Sequence, residues 1–302
     1  MNSSIERVNQ LKKEKNAIIL AHYYVEDEIQ AVADYVGDSF YLSKVATRAK
    51  ADTLVLCGVA FMGESAKILN PEKTVLMPDA AADCPMAHMA TAEKILAVRK
   101  QYPDAAVVCY INSTAELKAH ADVCVTSSNA LKIVKALPNK YIYFIPDMHL
   151  AHYIAAQVPE KKFIFNEGYC PIHQEITLKD LLKSKNEHPD ARIAVHPECP
   201  AEVTQAADFV GSTSEIIAYV NSDEADAFII GTEIGVFYEL KTQNPDKTFY
   251  TINEHQICPD MKKLTLEKVI RVLETGTPAV EMTPEAIKAA DLPLKRMLEL
   301  SK

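Results

Sequence analysis

The chain has 302 residues, 48% of them hydrophobic and 24% charged, a globular composition long enough for two or three domains with buried cores. Its formal net charge of -9 argues against nucleic acid or an anionic membrane surface as a partner, since both need a basic patch. No run approaches the roughly 18 apolar residues of a membrane span, and the start, Met-Asn-Ser-Ser-Ile-Glu-Arg, lacks a charged-then-apolar signal. The expected location is the cytoplasm, where seven cysteines serve as core residues, ligands or nucleophiles rather than as disulfides.

Taken in order, short apolar runs rich in Val, Ile, Phe and Tyr alternate with amphipathic stretches of helical period. That is the pattern of α/β units with parallel strands. Strands are predicted at 17–22, 53–59 and 74–77, at 105–111, 141–145 and 162–165, and at 192–196, 227–230 and 248–252. A helix is predicted at 4–15, before the first set, and helices at 91–101 and 177–187 precede the second and third. A fourth such helix at 265–275 has no unit after it. Residues 276–278, Gly-Thr-Pro, break the chain before a last helix at 284–300.

The three sets are copies. Ala33-Asp34 recurs as Ala121-Asp122 and Ala207-Asp208, at steps of 88 and 86 residues. His22, Tyr110 and His196 follow the same steps, as do Tyr24, Asn112 and Glu198, and Ser39, Ser127 and Thr213. Cys84, Cys170 and Cys258, each followed by proline, are spaced 86 and 88 apart, and Thr91, Thr177 and Thr265 stand seven residues later, where each reads as a helix N-cap. A repeat this long suits three small domains rather than a solenoid. They are expected at 1–87, 88–173 and 174–260, with 261–302 packing back on the first to close a ring. Each copy is expected to run strand, helix, strand, helix, strand, cysteine loop.

Three cysteines converging on one axis either bind zinc or hold an iron-sulfur cluster. Zinc sites usually show close pairs such as Cys-x-x-Cys, which are absent here, whereas cluster ligands can come from separate segments. Three thiolates leave one iron of a four-iron, four-sulfur cluster open, a Lewis acid suited to dehydration or condensation. Cys57, Cys109 and Cys124 sit within apolar strands and read as core residues, and Cys199 falls off the three-fold register. His22, Tyr110 and His196 fall at the C-terminal ends of first strands, where such sheets place ligand groups. Asn112 and Glu198, two residues on, share their face. Ser39, Ser127 and Thr213 precede helical stretches, where a hydroxyl beside free N–H groups caps the helix, cradles an anion, or does both.

These residues resemble the quinolinate synthase family. The resemblance is carried by Ala21-His22-Tyr23-Tyr24, Gly58-Val59-Ala60-Phe61-Met62, Tyr110-Ile111-Asn112, Thr126-Ser127-Ser128-Asn129-Ala130, His196-Pro197-Glu198-Cys199 and Cys258-Pro259-Asp260-Met261-Lys262-Lys263. It implies three α/β/α three-layer domains around a pseudo-three-fold axis. It implies a transferase of NAD biosynthesis that condenses iminosuccinate with dihydroxyacetone phosphate to quinolinate, releasing phosphate and water. By the match, Cys84, Cys170 and Cys258 ligate one four-iron, four-sulfur cluster with an open iron, and Tyr24 and Glu198 move protons. His22, Ser39, Tyr110, Ile111, Asn112, Ser127, His196, Pro197, Glu198 and Thr213 bind substrate, with His173, three after a ligand cysteine, as a further contact to cluster or substrate. An enzyme supplying the unstable iminosuccinate is the implied functional partner.

Two departures stand out: Val25 where the family commonly has Gln, and no extra cysteines near Cys258. The strand alternation turns Val25 away from Tyr24. The competing readings are an aconitase-like hydro-lyase, a non-enzymatic iron-sulfur sensor and a structural-zinc module.

Overall fold

A computed structural model describes residues 2–302. It contains three four-stranded, all-parallel sheets with the same strand order. The first is built from β1 (Ala17–His22), β2 (Tyr35–Gly37), β3 (Thr53–Cys57) and β4 (Thr74–Leu76), ordered β2-β1-β3-β4. The second has β5 (Ala106–Tyr110), β6 (Val123–Val125), β7 (Tyr141–Ile145) and β8 (Lys162–Phe165), ordered β6-β5-β7-β8. The third has β9 (Arg192–Val195), β10 (Phe209–Val210), β11 (Ala227–Gly231) and β12 (Thr248–Thr251), ordered β10-β9-β11-β12. Helices connect the strands, so the sheets are covered on both faces and their central strands are continuous apolar runs. Every residue of β5, Ala-Val-Val-Cys-Tyr, is buried.

The sequence order strand, helix, strand, helix, strand is one strand and one helix short in every copy. The missing strands are β2, β6 and β10, each two or three residues long. That is too short for period-two alternation to register. What holds them is the repeated Ala-Asp: Asp34 Oδ2 accepts the Ile19 N–H at 2.8 Å, Asp122 Oδ2 the Val107 N–H at 2.7 Å, and Asp208 Oδ2 the Ile193 N–H at 2.8 Å. One carboxylate thus ties each short edge strand to the first strand of its sheet.

Thr91, Thr177 and Thr265 cap their helices through the side-chain oxygen, accepting from Lys94, Asp180 and Lys268 N–H respectively. The hydroxyls at 39, 127 and 213 are not caps. Asp38 and Ser212 cap the helices Ser39–Arg48 and Thr213–Ser222, and Ser127 lies before the turn leading into Ala130–Ala136. A cap one residue earlier satisfies the free N–H groups and releases the next hydroxyl for other contacts.

One continuous core runs through the first two sheets and the C-terminal helices, while the third sheet has a separate apolar cluster on each face. Helix Leu266–Thr275 lies along helix Asn2–Glu14 and ends at Gly276, whose φ of 70° suits a residue without Cβ. Residues 278–280 then pair with the edge strand β4 through Met77 N–H to Pro278 O and Val280 N–H to Val75 O. Helix Pro284–Leu300 does more than return to the first sheet's side. It bridges helix Ala60–Leu69 to helix Ala115–Ala119 and β6, burying Ala290, Leu294 and Met297 between them. Among the described residues no helix is long and apolar enough to cross a membrane.

Candidate active site

The C-terminal ends of β1, β5 and β9 bring three repeated segments to one cavity of about 140 Å³. His22 and Tyr24 arrive from the first, Tyr110, Ile111 and Asn112 from the second, and His196 and Glu198 from the third. Ser39, Ser127 and Thr213 enter from the helix-leading segments. Cys84, Cys170, Cys258 and His173 complete the wall. Of the residues expected to bind substrate or cluster only Pro197 is off it; it is buried in the turn between His196 and Glu198. Val25 is fully buried in the core and does not line the cavity. Cys57, Cys109 and Cys124 are buried in β3, β5 and β6, and the buried Cys199 thiol points to Gly231 O at 3.4 Å.

The two histidines are held alike. His22 Nδ1 accepts the Tyr24 N–H and His196 Nδ1 accepts the Glu198 N–H, both at 3.2 Å. With Nδ1 as acceptor the ring proton sits on Nε2. Burial pushes His22 down to about 4 and His196 to about 3, so both are neutral donors near pH 7.

A string of polar groups crosses the site. The Tyr24 hydroxyl lies 2.7 Å from both Thr213 Oγ1 and Thr232 Oγ1. Thr232 Oγ1 also meets His173 Nε2 at 2.9 Å. The other ring nitrogen, His173 Nδ1, is 2.9 Å from Glu198 Oε2 but out of line for a straight hydrogen bond. Glu198 Oε1 accepts from the Tyr110 hydroxyl at 2.5 Å. Burial opposes charge on Glu198, yet His196 and His173 beside it and the Tyr110 hydroxyl outweigh it and hold the carboxyl well below the usual range. Burial, with Glu198 nearby, raises the Tyr24 and Tyr110 phenols far above theirs. The arrangement therefore sets one ionised carboxylate among phenols that keep their protons and the neutral rings of His22 and His196, the separation that acid–base work requires.

The three half-buried cysteines test the metal readings. Among the described residues the only three-donor group closing to within 4.8 Å is Cys170, His173 and Glu198, in which His173 Nδ1 and Glu198 Oε2 face each other at 2.9 Å. The sulfurs of Cys84, Cys170 and Cys258 share the cavity without closing that far. A single tetrahedral zinc holds its sulfurs about 3.8 Å apart, so this set does not fit one ion. A cluster, in which each thiolate takes a different iron, does not require the three sulfurs to meet at one ion. Burial pushes the Cys84 thiol up to about 12, and raises Cys170 and Cys258 as well.

Thr232, Glu233, Asp147 and Lys262 are polar groups in or around the site to which the sequence alone assigned no role, as are Asp38, Asp83, Thr126 and Asp260 on its wall. For Asp147 and Glu233 a signal existed, since with Val59 they follow the same steps of 88 and 86. Thr232 has no polar counterpart in the other copies, where Gly58 and Pro146 stand.

A family model described as Quinolinate synthetase A protein matches residues 6–299. A quinolinate synthase of Fusobacterium nucleatum is 52% identical over 296 residues, covering 98% of this chain and 99% of the relative. One of Sulfurihydrogenibium is 50% identical over 307 residues, with 99% of each chain covered. One of Caldicellulosiruptor saccharolyticus is 51% identical over 294 residues, with 97% of each covered.

Proposed function

The chain belongs to the quinolinate synthase family, and from that premise we propose that it condenses iminosuccinate with dihydroxyacetone phosphate to quinolinate, with loss of phosphate and water, as a step of NAD biosynthesis. Cys84, Cys170 and Cys258 would hold a four-iron, four-sulfur cluster. When bound, such a cluster supplies an open iron as Lewis acid for dehydration.

The chain's own residues account for binding and proton movement. Neutral His22 and His196 each offer an Nε2–H to a substrate carboxylate or carbonyl. Tyr110 and Asn112 add donors on the side of the second sheet. Ser39 and Thr213 open ten-residue helices whose N-termini favour a carboxylate or phosphate, and Ser127 contributes a third hydroxyl. Glu198, ionised and buried, takes protons from carbon or nitrogen of the assembling ring. Tyr24, with its proton retained, donates one to a departing or forming oxygen and is replenished through Thr232 and His173.

The observation that carries this reading is the hydrogen-bonded run from Tyr24 through Thr232 to His173, whose Nδ1 lies 2.9 Å from Glu198 Oε2, beside the cavity shared by three repeat-related cysteines. Anaerobic purification, iron and sulfide analysis, and a quinolinate assay with both substrates test it. Quinolinate formation by an iron- and sulfide-containing protein is the expected result. Both substrates left unconsumed would point to a simple hydro-lyase, and one zinc without sulfide would end the cluster reading. The instability of iminosuccinate supports a functional coupling to the enzyme that forms it.

A further inference from the structure

Two residues beyond the third-copied strand of each sheet, after β3, β7 and β11, stand Val59, Asp147 and Glu233. Asp147 and Glu233 are 0% and 1% exposed. A buried carboxylate is costly unless its oxygens are well occupied, and here both oxygens of each are. Asp147 Oδ2 accepts the Cys170 N–H at 3.2 Å while Oδ1 accepts the Leu150 N–H at 2.7 Å. Glu233 Oε1 accepts the Cys258 N–H at 3.1 Å and faces Lys262 Nζ at 3.4 Å, while Oε2 accepts the Gly235 N–H at 2.6 Å. Helix capping explains Oδ1 of Asp147 but not Oδ2, and Glu233 caps nothing.

The first copy, with Val59, uses another tether. The Cys84 N–H turns to Asp83 Oδ1 at 2.7 Å, and the Asp83 N–H donates at 3.2 Å to Asp260 Oδ1, two residues after Cys258. The Cys84 loop thus leans on the loop that Glu233 holds.

We propose that Asp147 and Glu233 are positioning residues for the metal centre, each fixing through a cysteine amide the direction in which that cysteine's sulfur is presented. This rests on the cluster reading above. It goes beyond it by assigning two buried acids that the proton chemistry does not use. Partners of this kind, one bond removed from the metal ligands, are worth about 10- to 100-fold in metal retention.

The test is iron release to a ferrous chelator from anaerobically purified holoprotein. Asp147→Ala and Glu233→Ala release iron at least about 10-fold faster than the unaltered protein. Asp147→Asn and Glu233→Gln, which keep one acceptor oxygen for the two N–H groups that each carboxylate serves, recover part of that loss. Alanine variants that release iron at the unaltered rate, or amide variants as fast as alanine, overturn the assignment. Should an alanine variant fail to fold by circular dichroism, amide hydrogen exchange in the unaltered holoprotein decides. Slow exchange at Cys170 and Cys258 supports the tethers, and exchange at the rate of an open loop overturns them. Unaltered protein that binds no iron at all sinks the cluster reading itself, before any variant is compared.

Discussion

The Tyr110 hydroxyl donates to Glu198 Oε1 at 2.5 Å across 88 residues of chain, although the two are not equivalent positions of the repeat. Tyr110 is the counterpart of His22 and His196, and Glu198 that of Tyr24 and Asn112. The repeat supplies matching backbone positions, and differing side chains at them make one a phenol and another a carboxylate that meet.

Glu198→Gln removes the charge while keeping size and one acceptor for Tyr110. Turnover is expected to fall at least ~100-fold, the scale for losing a general base, with iron and sulfide content unchanged. Steady-state rates beside metal analysis check this, and a near-normal rate would remove Glu198 from proton transfer.

Cys170→Ser keeps the local turn, because its N–H still reaches Asp147, but exchanges a thiolate for a poor iron ligand. Far-UV circular dichroism is expected to be unaltered while iron, sulfide and quinolinate formation are lost. Full turnover by this variant would count against Cys170 as a ligand.

His22, held near 4 against 6.5 unfolded, refuses a proton that the unfolded chain accepts between those values. Its contribution to stability is therefore complete above pH 6.5, is lost as pH falls towards 4, and is level below. Asp147 and Glu233, raised by burial, act in the opposite direction over part of that window, so the comparison must be with a variant that shares them. For His22→Asn the slope of unfolding free energy against pH should be shallower, by at most about 1.4 kcal/mol per pH unit near pH 5.3 and by less towards 6.5 and 4. Urea melts of the metal-free proteins at several pH values measure it, and equal slopes would contradict a neutral buried His22.

Asp122→Ala leaves the Val107 N–H without its acceptor at the junction of β5 and β6 and removes the Arg99 contact at 3.1 Å. A loss of about 2 kcal/mol is expected. Asp122→Asn, which keeps an acceptor oxygen, should recover part of it. Denaturant midpoints for the pair provide the check, and an unchanged midpoint for Asp122→Ala would show that the repeated Ala-Asp does not anchor the short strand.

Much of the architecture was legible because it is periodic. Apolar runs marked nine of the twelve strands, and the steps of 88 and 86 relate the copies along the chain itself. The short strands β2, β6 and β10 escaped because a two- or three-residue strand carries no alternation of its own. It is held by an aspartate whose purpose shows only in the hydrogen bond it makes. Ser39 and Thr213 read as caps for a similar reason, since the neighbouring Asp38 and Ser212 compete for that role and local geometry decides between them.

By itself the sequence determined the class of strands and helices, the three-fold repeat and the spacing of the three Cys-Pro loops, because those depend on local periodicity and on register along one chain. Tertiary structure alone decided that Thr232 joins Tyr24 to His173, that Glu233 holds the Cys258 amide, and that the last helix spans two sheets. Those contacts pair residues tens to hundreds of positions apart. No local rule of propensity or period encodes them, and they arise where packing excludes water and each buried polar group must find a partner.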